Sequence, residues 1–478
     1  MKHFPDGLIA VVKRECPTCT AIEPALRQLA TCGERFTVYS QDDPAFPSGA
    51  GEVLDDRSLE ASFHLGIEIV PTLIRVRDGA PTARAVGWNR GEWEALAAVR
   101  GLGPGLPDNR PGCGSRTEEP GMRFRLAARF GSLPVRSRRI ELADDADPIE
   151  ACYERGWSDG LPVTPPTLER VAAMLAGTTR PPHEVLGIMP PDRVECTVEK
   201  VAVNAVMAGC KPEYLPVVLA AVEAALVPEF GLHGVLCTTN AVTPVVMVNG
   251  PIARTIGMNA KINVFGQGNR ANATIGRALQ LVVRNVGGGR PGEIDRACFG
   301  NPGKYSFCFA EDEDDGVWEP YAVEKGFARG ASTVTLFTGD GVAPIIDQIA
   351  RTPEELARSY AQCLRTIYNA GQVADVAAFL VIGPEHARVF YEAGWSKSRI
   401  RDALAPLLEV PVRDLKPGFG SDDDVRKLQR ERPEATVPKF QTGSLNIIRA
   451  GGAAGLFSAV ISGLGSITIN PVTKEIKP

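Results

Sequence analysis

The chain has 478 residues, 44% of them hydrophobic, with 52 basic against 57 acidic side chains and a formal net charge of −5. That length and apolar content predict two or more packed domains, and the slightly acidic balance excludes a general attraction to nucleic acid. The apolar stretch 450–465 is too short and too broken by glycine to span a bilayer, and no signal-peptide core precedes the first strand, so a cytoplasmic protein with no membrane partner is expected.

In chain order, the apolar run 8–12 predicts a strand and the pattern over 21–30 a helix. Between them stands Cys16-Pro17-Thr18-Cys19. A strand that ends in CxxC and turns into a helix places the first sulfur over free backbone N–H groups and the positive end of the helix dipole, which favours thiolate. Cys16 is thus the expected redox centre, with Cys19 one turn along and within reach of a disulfide. Eleven cysteines, dispersed apart from this pair, fit a reducing compartment better than a disulfide scaffold.

Strand-like 36–40, helix-like 58–65, strand-like 72–77 and helix-like 90–99 follow, which makes a small α/β module of residues 1–100. Through CPTC and through Ile69-Val70-Pro71-Thr72 this module resembles the thioredoxin superfamily. The resemblance implies that Cys16 is the attacking thiol, that Cys19 is the resolving thiol, and that Pro71 is a cis-proline shaping the substrate groove. It implies no cofactor beyond the redox-active disulfide Cys16–Cys19. A thioredoxin-reductase-like enzyme and a low-molecular-weight thiol are the candidate reductants, and the sequence does not choose between them.

Two features depart from the family. Glu15 stands where an aromatic is common, and its charge should oppose thiolate formation at Cys16; no acidic residue lies in 8–12 to act as a buried proton relay. A zinc-binding CxxC would need a second ligand pair, and neither Cys32 nor His64 has ligand spacing.

Residues 101–122 are rich in Gly, Pro and charge without periodicity and read as an exposed linker. Cys113, between two glycines there, is either an incidental surface thiol or a mobile carrier of reducing equivalents. Residues 123–478 then alternate strand-like runs (234–237, 244–248, 305–310, 333–337, 377–382) with helix-like ones (198–208, 215–226, 353–368), which predicts a larger α/β domain with partly parallel strands. Segments 199–215, 246–251 and 275–279 can be laid in order on 340–356, 379–384 and 400–404, which suggests a duplication with halves near 195–290 and 335–410 and a site in the cleft between them.

Candidate chemistry in this larger domain is scattered. Gly268, Asn269, Arg270, Asn272 and Thr274 precede or open a helix and read as an anion-binding start for a small polar or anionic substrate, or else as an ordinary capped helix. The basic, polar stretch 394–398 is its counterpart in the other half. Trp157 and Asp159, in a Gly/Pro-framed loop, read either as stacking surface and acid/base or as a structural corner. Cys210, beside Lys211, and Cys237, before a Thr-Thr-Asn run, are candidate thiols that otherwise are simply buried. The acidic run 311–315 suits a hard cation but more commonly forms a solvated loop, and the five histidines show no metal-ligand spacing, so no metal is expected.

The motifs over 156–167, 204–226, 268–278 and 285–297 also resemble an uncharacterised bacterial family associated with thiol and selenol proteins, a likeness that implies no reaction. The leading expectation is a thiol–disulfide oxidoreductase module fused to a domain that reduces or cleaves a small substrate with thiol assistance. The alternatives are a redox-regulated binding or assembly protein, and a metal-dependent lyase or hydrolase.

Overall fold

Six consecutive buried residues make β1 (Gly7–Val12) a strand covered on both faces. The computed structural model describes residues 3–131, 135–314, 316–416, 422–465 and 469–477. It divides into two units, Met1–Leu133 and Pro134–Pro478, and both mix helices with strands in an α/β arrangement.

After β1 the first unit contains α1 (Pro17–Ala21), α2 (Glu23–Ala30), β2 (Phe36–Ser40), β3 (Glu52–Asp55), α3 (Glu60–Leu65), β4 (Ile69–Val70), β5 (Thr72–Arg77), β6 (Ala80–Val86), β7 (Trp88–Asn89), α4 (Arg90–Ala97), β8 (Asn109–Arg110), β9 (Cys113–Gly114) and α5 (Met122–Phe130). The main sheet is ordered β3-β2-β1-β5-β6, with β1, β2 and β3 parallel and β5 and β6 antiparallel. Asp78 and Gly79, both at positive φ (52° and 72°), make the tight β5–β6 turn.

The helix expected over 21–30 is two helices meeting at Ile22, because Pro24 in the first turn of α2 has no N–H to continue the ladder from α1.

Residues 101–122 are not a linker, and the boundary lies further on. β8 pairs with β7, β9 pairs with β4, and α5 lays Phe130 against Phe63 with ring centroids 6.3 Å apart. The Gly/Pro-rich backbone finds its partners in side chains. The Arg90 guanidinium donates to the carbonyls of Leu102, Gly103 and Leu106, and Trp88 Nε1 to that of Pro107 at 2.7 Å. A composition that normally marks a solvated connector is here tied down group by group.

The second unit begins with α6 (Pro148–Glu154), α7 (Leu168–Leu175), β10 (Val185–Met189), β11 (Val194–Thr197), α8 (Val198–Ala208), α9 (Leu215–Leu226) and α10 (Leu232–Cys237). There follow β12 (Thr243–Asn249), α11 (Pro251–Thr255), α12 (Arg270–Asn285), β13 (Cys308–Ala310), α13 (Tyr321–Glu324), β14 (Thr333–Gly339), β15 (Val342–Ile346), α14 (Pro353–Arg365) and β16 (Val376–Ile382). The chain closes with α15 (Pro384–Glu392), α16 (Lys397–Leu404), β17 (Glu409–Pro411), α17 (Asp422–Glu431), β18 (Thr436–Pro438), β19 (Leu445–Arg449), β20 (Phe457–Leu464) and β21 (Val472–Glu475).

Two four-stranded sheets, β13-β12-β14-β21 and β15-β20-β16-β19, share one plan. In each a central strand pairs in parallel with one neighbour, β12 with β13 and β16 with β19, and antiparallel with the other, β14 or β20. The fourth strand is exchanged: β14 runs on into β15 of the other sheet, and β20 is followed by β21, which returns to the first.

Strand alternation splits the core three ways. Val246, Val248 and Leu336 pack with α8, α9 and α12. Ala378, Leu380 and Ile447 pack with α14, α15 and α16. Val245, Met247, Phe337, Phe379, Val381 and Ile461 fill the space between the sheets, where the Phe337 and Phe379 rings stack at 3.7 Å. The unit is therefore layered helix, sheet, sheet, helix.

The sequence offsets fare unevenly against this plan. Segments 246–251 and 379–384 coincide with β12 and β16 and with Gly-Pro turns that open α11 and α15. Segments 275–279 and 400–404 fall within α12 and α16. Of 199–215 and 340–356 only the ends correspond, where Pro212 and Pro353 each begin helical backbone; their first residues set α8 against β15. The two sheets also reach past 290 and 410, to β14 and β20.

Residues 234–237 belong to helix α10 rather than a strand, with Leu232, Val235 and Leu236 buried at helical spacing; a short apolar run does not separate the two by pattern. Of 305–310 only Cys308–Ala310 is strand. Among the described residues no single helix is long and apolar enough to cross a membrane. The bent pair Pro212–Leu226 and Pro228–Cys237 passes by composition, but α9 is buried along almost its whole length in the core of the unit.

Candidate active site: a cluster of three thiols

Cys16 ends the loop from β1 and serves as N-cap of α1, in extended backbone with φ −85° and ψ 115°. The Cys19 backbone N–H points at its sulfur, 3.5 Å away, and Pro17 occupies the first turn, where no N–H is required. Asp42 fixes the approach, accepting from the backbone N–H groups of Arg14 and Glu15 at 2.7 and 2.9 Å.

Val70–Pro71 is a cis peptide, and the Val70 carbonyl lies 3.5 Å from Cys16 Sγ. Opposite Val70, in the register of the β4–β9 ladder, stands Cys113. Cys113 and Cys19 are the two side chains that favour thiolate at the Cys16 sulfur. Cys113 therefore stands in a paired strand rather than in a connector. Only glycine at 112 permits this approach, because a Cβ there would sit 2.7 Å from the Val70 oxygen.

The three sulfurs differ in environment. Cys16 and Cys19 are both 0% exposed, whereas Cys113 is half-buried. Hydrogen bonds from Cys19, then from Cys113 and the Cys19 and Thr18 amides, outweigh desolvation and lower the Cys16 thiol to about 5. Glu15, expected to oppose this, is exposed and is not among the main influences on Cys16. Burial and the neighbouring Cys16 push Cys19 far above the ordinary thiol range. Burial, then Cys16, also raises Cys113. These influences favour thiolate at Cys16 and the protonated thiol at Cys19 and Cys113.

The other expected site residues lie in the second unit and are largely committed to structure. Asp159 forms a two-pronged ion pair with Arg277 at 2.8 and 2.7 Å, and Arg277 also donates to the Leu161 and Pro162 carbonyls. Trp157 packs against the core, and its carbonyl accepts from Asn285 at 3.0 Å. This loop is a cross-linked corner.

At the start of α12, Asn269 caps the helix by accepting from the Asn272 N–H. Asn272 exchanges hydrogen bonds with the Asn259 backbone. Arg270 donates to the Gly209 carbonyl at 3.0 Å, and Thr274 to that of Arg270 at 2.7 Å. Gly268, at φ 112°, sets the turn before the cap. The groups expected to hold an anion hold the loop itself.

Cys210 is buried and donates to the Thr274 carbonyl at 3.3 Å. Burial pushes it up to about 12, while Lys211 pairs with Glu213 at 3.6 Å. Cys237 is exposed at the end of α10. The acidic run is not a solvated loop: Glu311 and Asp312 are buried, and each described carboxylate has a partner. Glu311 meets Lys397, Asp312 meets Arg449, Glu313 accepts from Asn249, and Asp314 meets Lys261 and Arg254. Asp315 lies outside the described residues. Lys397, in the basic stretch of the other half, also pairs with Glu324 at 2.8 Å.

Sequence reasoning missed the cavity at the carboxyl ends of β16 and β19, about 280 Å³ and lined by Gly266, Val381, Gly383, Gly451 and Ser458, a position where α/β sheets commonly bind ligands. Behind it Ser458 Oγ lies 2.9 Å from both His386 Nδ1 and Tyr360 OH. His386 comes from a helix, Ser458 from a strand far along the chain, so no spacing announces them. No family model matches this chain, and no curated protein matches it.

Proposed function

We propose that this chain is a thiol–disulfide oxidoreductase whose first unit is of thioredoxin type, with Cys16 and Cys19 cycling between dithiol and disulfide. The observation that supports this reading is the placement of the pair: Cys16 caps α1 with the Cys19 N–H directed at its sulfur from 3.5 Å, an environment that favours thiolate at Cys16, while burial favours the protonated thiol at Cys19 one helical turn away. In one cycle the two thiols lose two electrons and two protons to a disulfide, which leaves as two thiols, and an external dithiol or low-molecular-weight thiol restores the pair.

The second unit is the substrate-bearing side of the fusion, and covalent attachment raises the effective concentration of the dithiol at any oxidised group held there. The glycine-lined cavity beside Ser458 supports a small-molecule occupant better than the Arg270 loop does. The test is catalysed reduction of a chromogenic aromatic disulfide by dithiothreitol with the full-length protein. The wild type should accelerate it and Cys16→Ser should not; equal rates would overturn the proposal.

A further inference from the structure

Cys16 makes no contact with solvent, yet its chemistry requires an electrophile to arrive. The cover is the chain's own segment 111–118, held at many points. The Pro111 carbonyl accepts from Thr18 Oγ1 at 2.7 Å, and the Gly114 carbonyl from Lys13 Nζ at 2.8 Å. Ser115 N donates to the Glu68 carbonyl at 2.8 Å. Ser115 Oγ accepts from the buried Gln41 side chain at 2.7 Å, and Arg116 returns hydrogen bonds to Gln41. β9 itself pairs with β4. A segment fastened this way opens rarely. Its one sulfur belongs to Cys113, which stands opposite Val70, whose carbonyl lies 3.5 Å from Cys16 Sγ, and Cys113 is only half-buried.

We infer that Cys113 is the entry point of a three-thiol relay, passing disulfides between solvent and the enclosed Cys16/Cys19 pair. The inference rests on the dithiol reading above and adds a residue and a route to it. In the oxidising direction Cys113, on losing its proton, attacks a disulfide RSSR, forming Cys113–S–S–R and expelling RS⁻, which takes up that proton. The Cys16 thiolate then attacks Cys113 Sγ, forms the Cys16–Cys113 disulfide and expels the second RS⁻. Cys19, on losing its proton, attacks Cys16 Sγ, forms the Cys16–Cys19 disulfide and returns Cys113 as thiolate. Two electrons leave Cys16 and Cys19, and two RSH result. The arrangement suits these roles, because Cys16 is one helical turn from Cys19 and beside the Val70 carbonyl that faces Cys113, and it is the sulfur that must bond to each in turn.

The test treats full-length Cys19→Ser with glutathione disulfide and maps disulfide-linked peptides by mass. The relay predicts a Cys16–Cys113 link as the main product. A Cys16–glutathione adduct with Cys113 free would overturn the relay but leave Cys16 as an exchanging thiol. Absence of any Cys16 product, together with no Cys16–Cys19 link in the oxidised wild type, would overturn the dithiol reading itself. Should Cys19→Ser fail to fold, Cys113→Ser gives an independent reading. Its oxidation by the same reagent should be slowed about tenfold or more, since a fastened cover is open only a small fraction of the time, whereas an unchanged rate would overturn the relay.

Discussion

Replacing Cys19 by alanine removes the largest single influence on the Cys16 thiolate and leaves the helix start intact. Cys16 is pulled from the ordinary 9.0 down to about 5, which at about 1.36 kcal/mol per pH unit is a preference for thiolate of roughly 5 kcal/mol. A hydrogen bond to a charged group contributes about 1.5–3 kcal/mol. Losing the Cys19 donor should therefore raise the Cys16 midpoint by roughly one to two pH units, with Cys113 and the backbone amides keeping the remainder. The assay is ultraviolet absorbance of the thiolate across a pH titration of reduced protein, with Cys16→Ser as the blank. A midpoint unmoved from about 5 would refute the assignment of the effect to Cys19. A wild-type midpoint in the ordinary range would refute the thiolate altogether.

The same depressed ionisation links stability to pH. A group with a lowered folded value adds stability above its unfolded pKa and loses it as pH falls through the folded one. Reduced wild type should thus gain on Cys16→Ser from about pH 5 up to about 8.5; parallel denaturation curves across that window would contradict this. Asp159→Ala strands the Arg277 guanidinium, whose side chain is 14% exposed, and should destabilise the protein by about 3–5 kcal/mol. Were Asp159 an acid/base instead, activity would fall with stability unchanged. Lys397→Met leaves the buried Glu311 without its cation, while Glu324 keeps Arg401, and should cost about 3–5 kcal/mol in chemical denaturation. Adding Glu311→Gln to it should recover part of that loss; a further loss would show that the buried charges are not what Lys397 balances.

The periodic parts of the fold were legible because burial imposes the period. Expected and observed limits agree for the strands Phe36–Ser40 and Thr72–Arg77 and for the helices Val198–Ala208 and Leu215–Leu226. The CxxC was legible since strand, motif and helix are contiguous. The position of Cys113 was not. Its place follows from a two-residue ladder with Ile69–Val70 and from side chains of Lys13, Thr18 and Gln41, all remote in sequence. Gly112 and Gly114 flanking a cysteine were the one local hint, and the same glycines suggested a linker. At Asn269, Arg270 and Asp159 the sequence left two readings open for a related reason: polar side chains that hold a loop have the same composition as those that bind a ligand, and only their partners tell them apart.

The central claim is that Cys16 and Cys19 exchange between dithiol and disulfide in the folded protein. Its most direct measurement is equilibration of the intact wild type in glutathione buffers of graded ratio, followed by acid quench and peptide mass mapping. The account predicts a Cys16–Cys19 linked peptide that appears and disappears reversibly with the ratio. A pair that stays reduced at every ratio, or Cys16 and Cys19 found only in links to other cysteines, would contradict it.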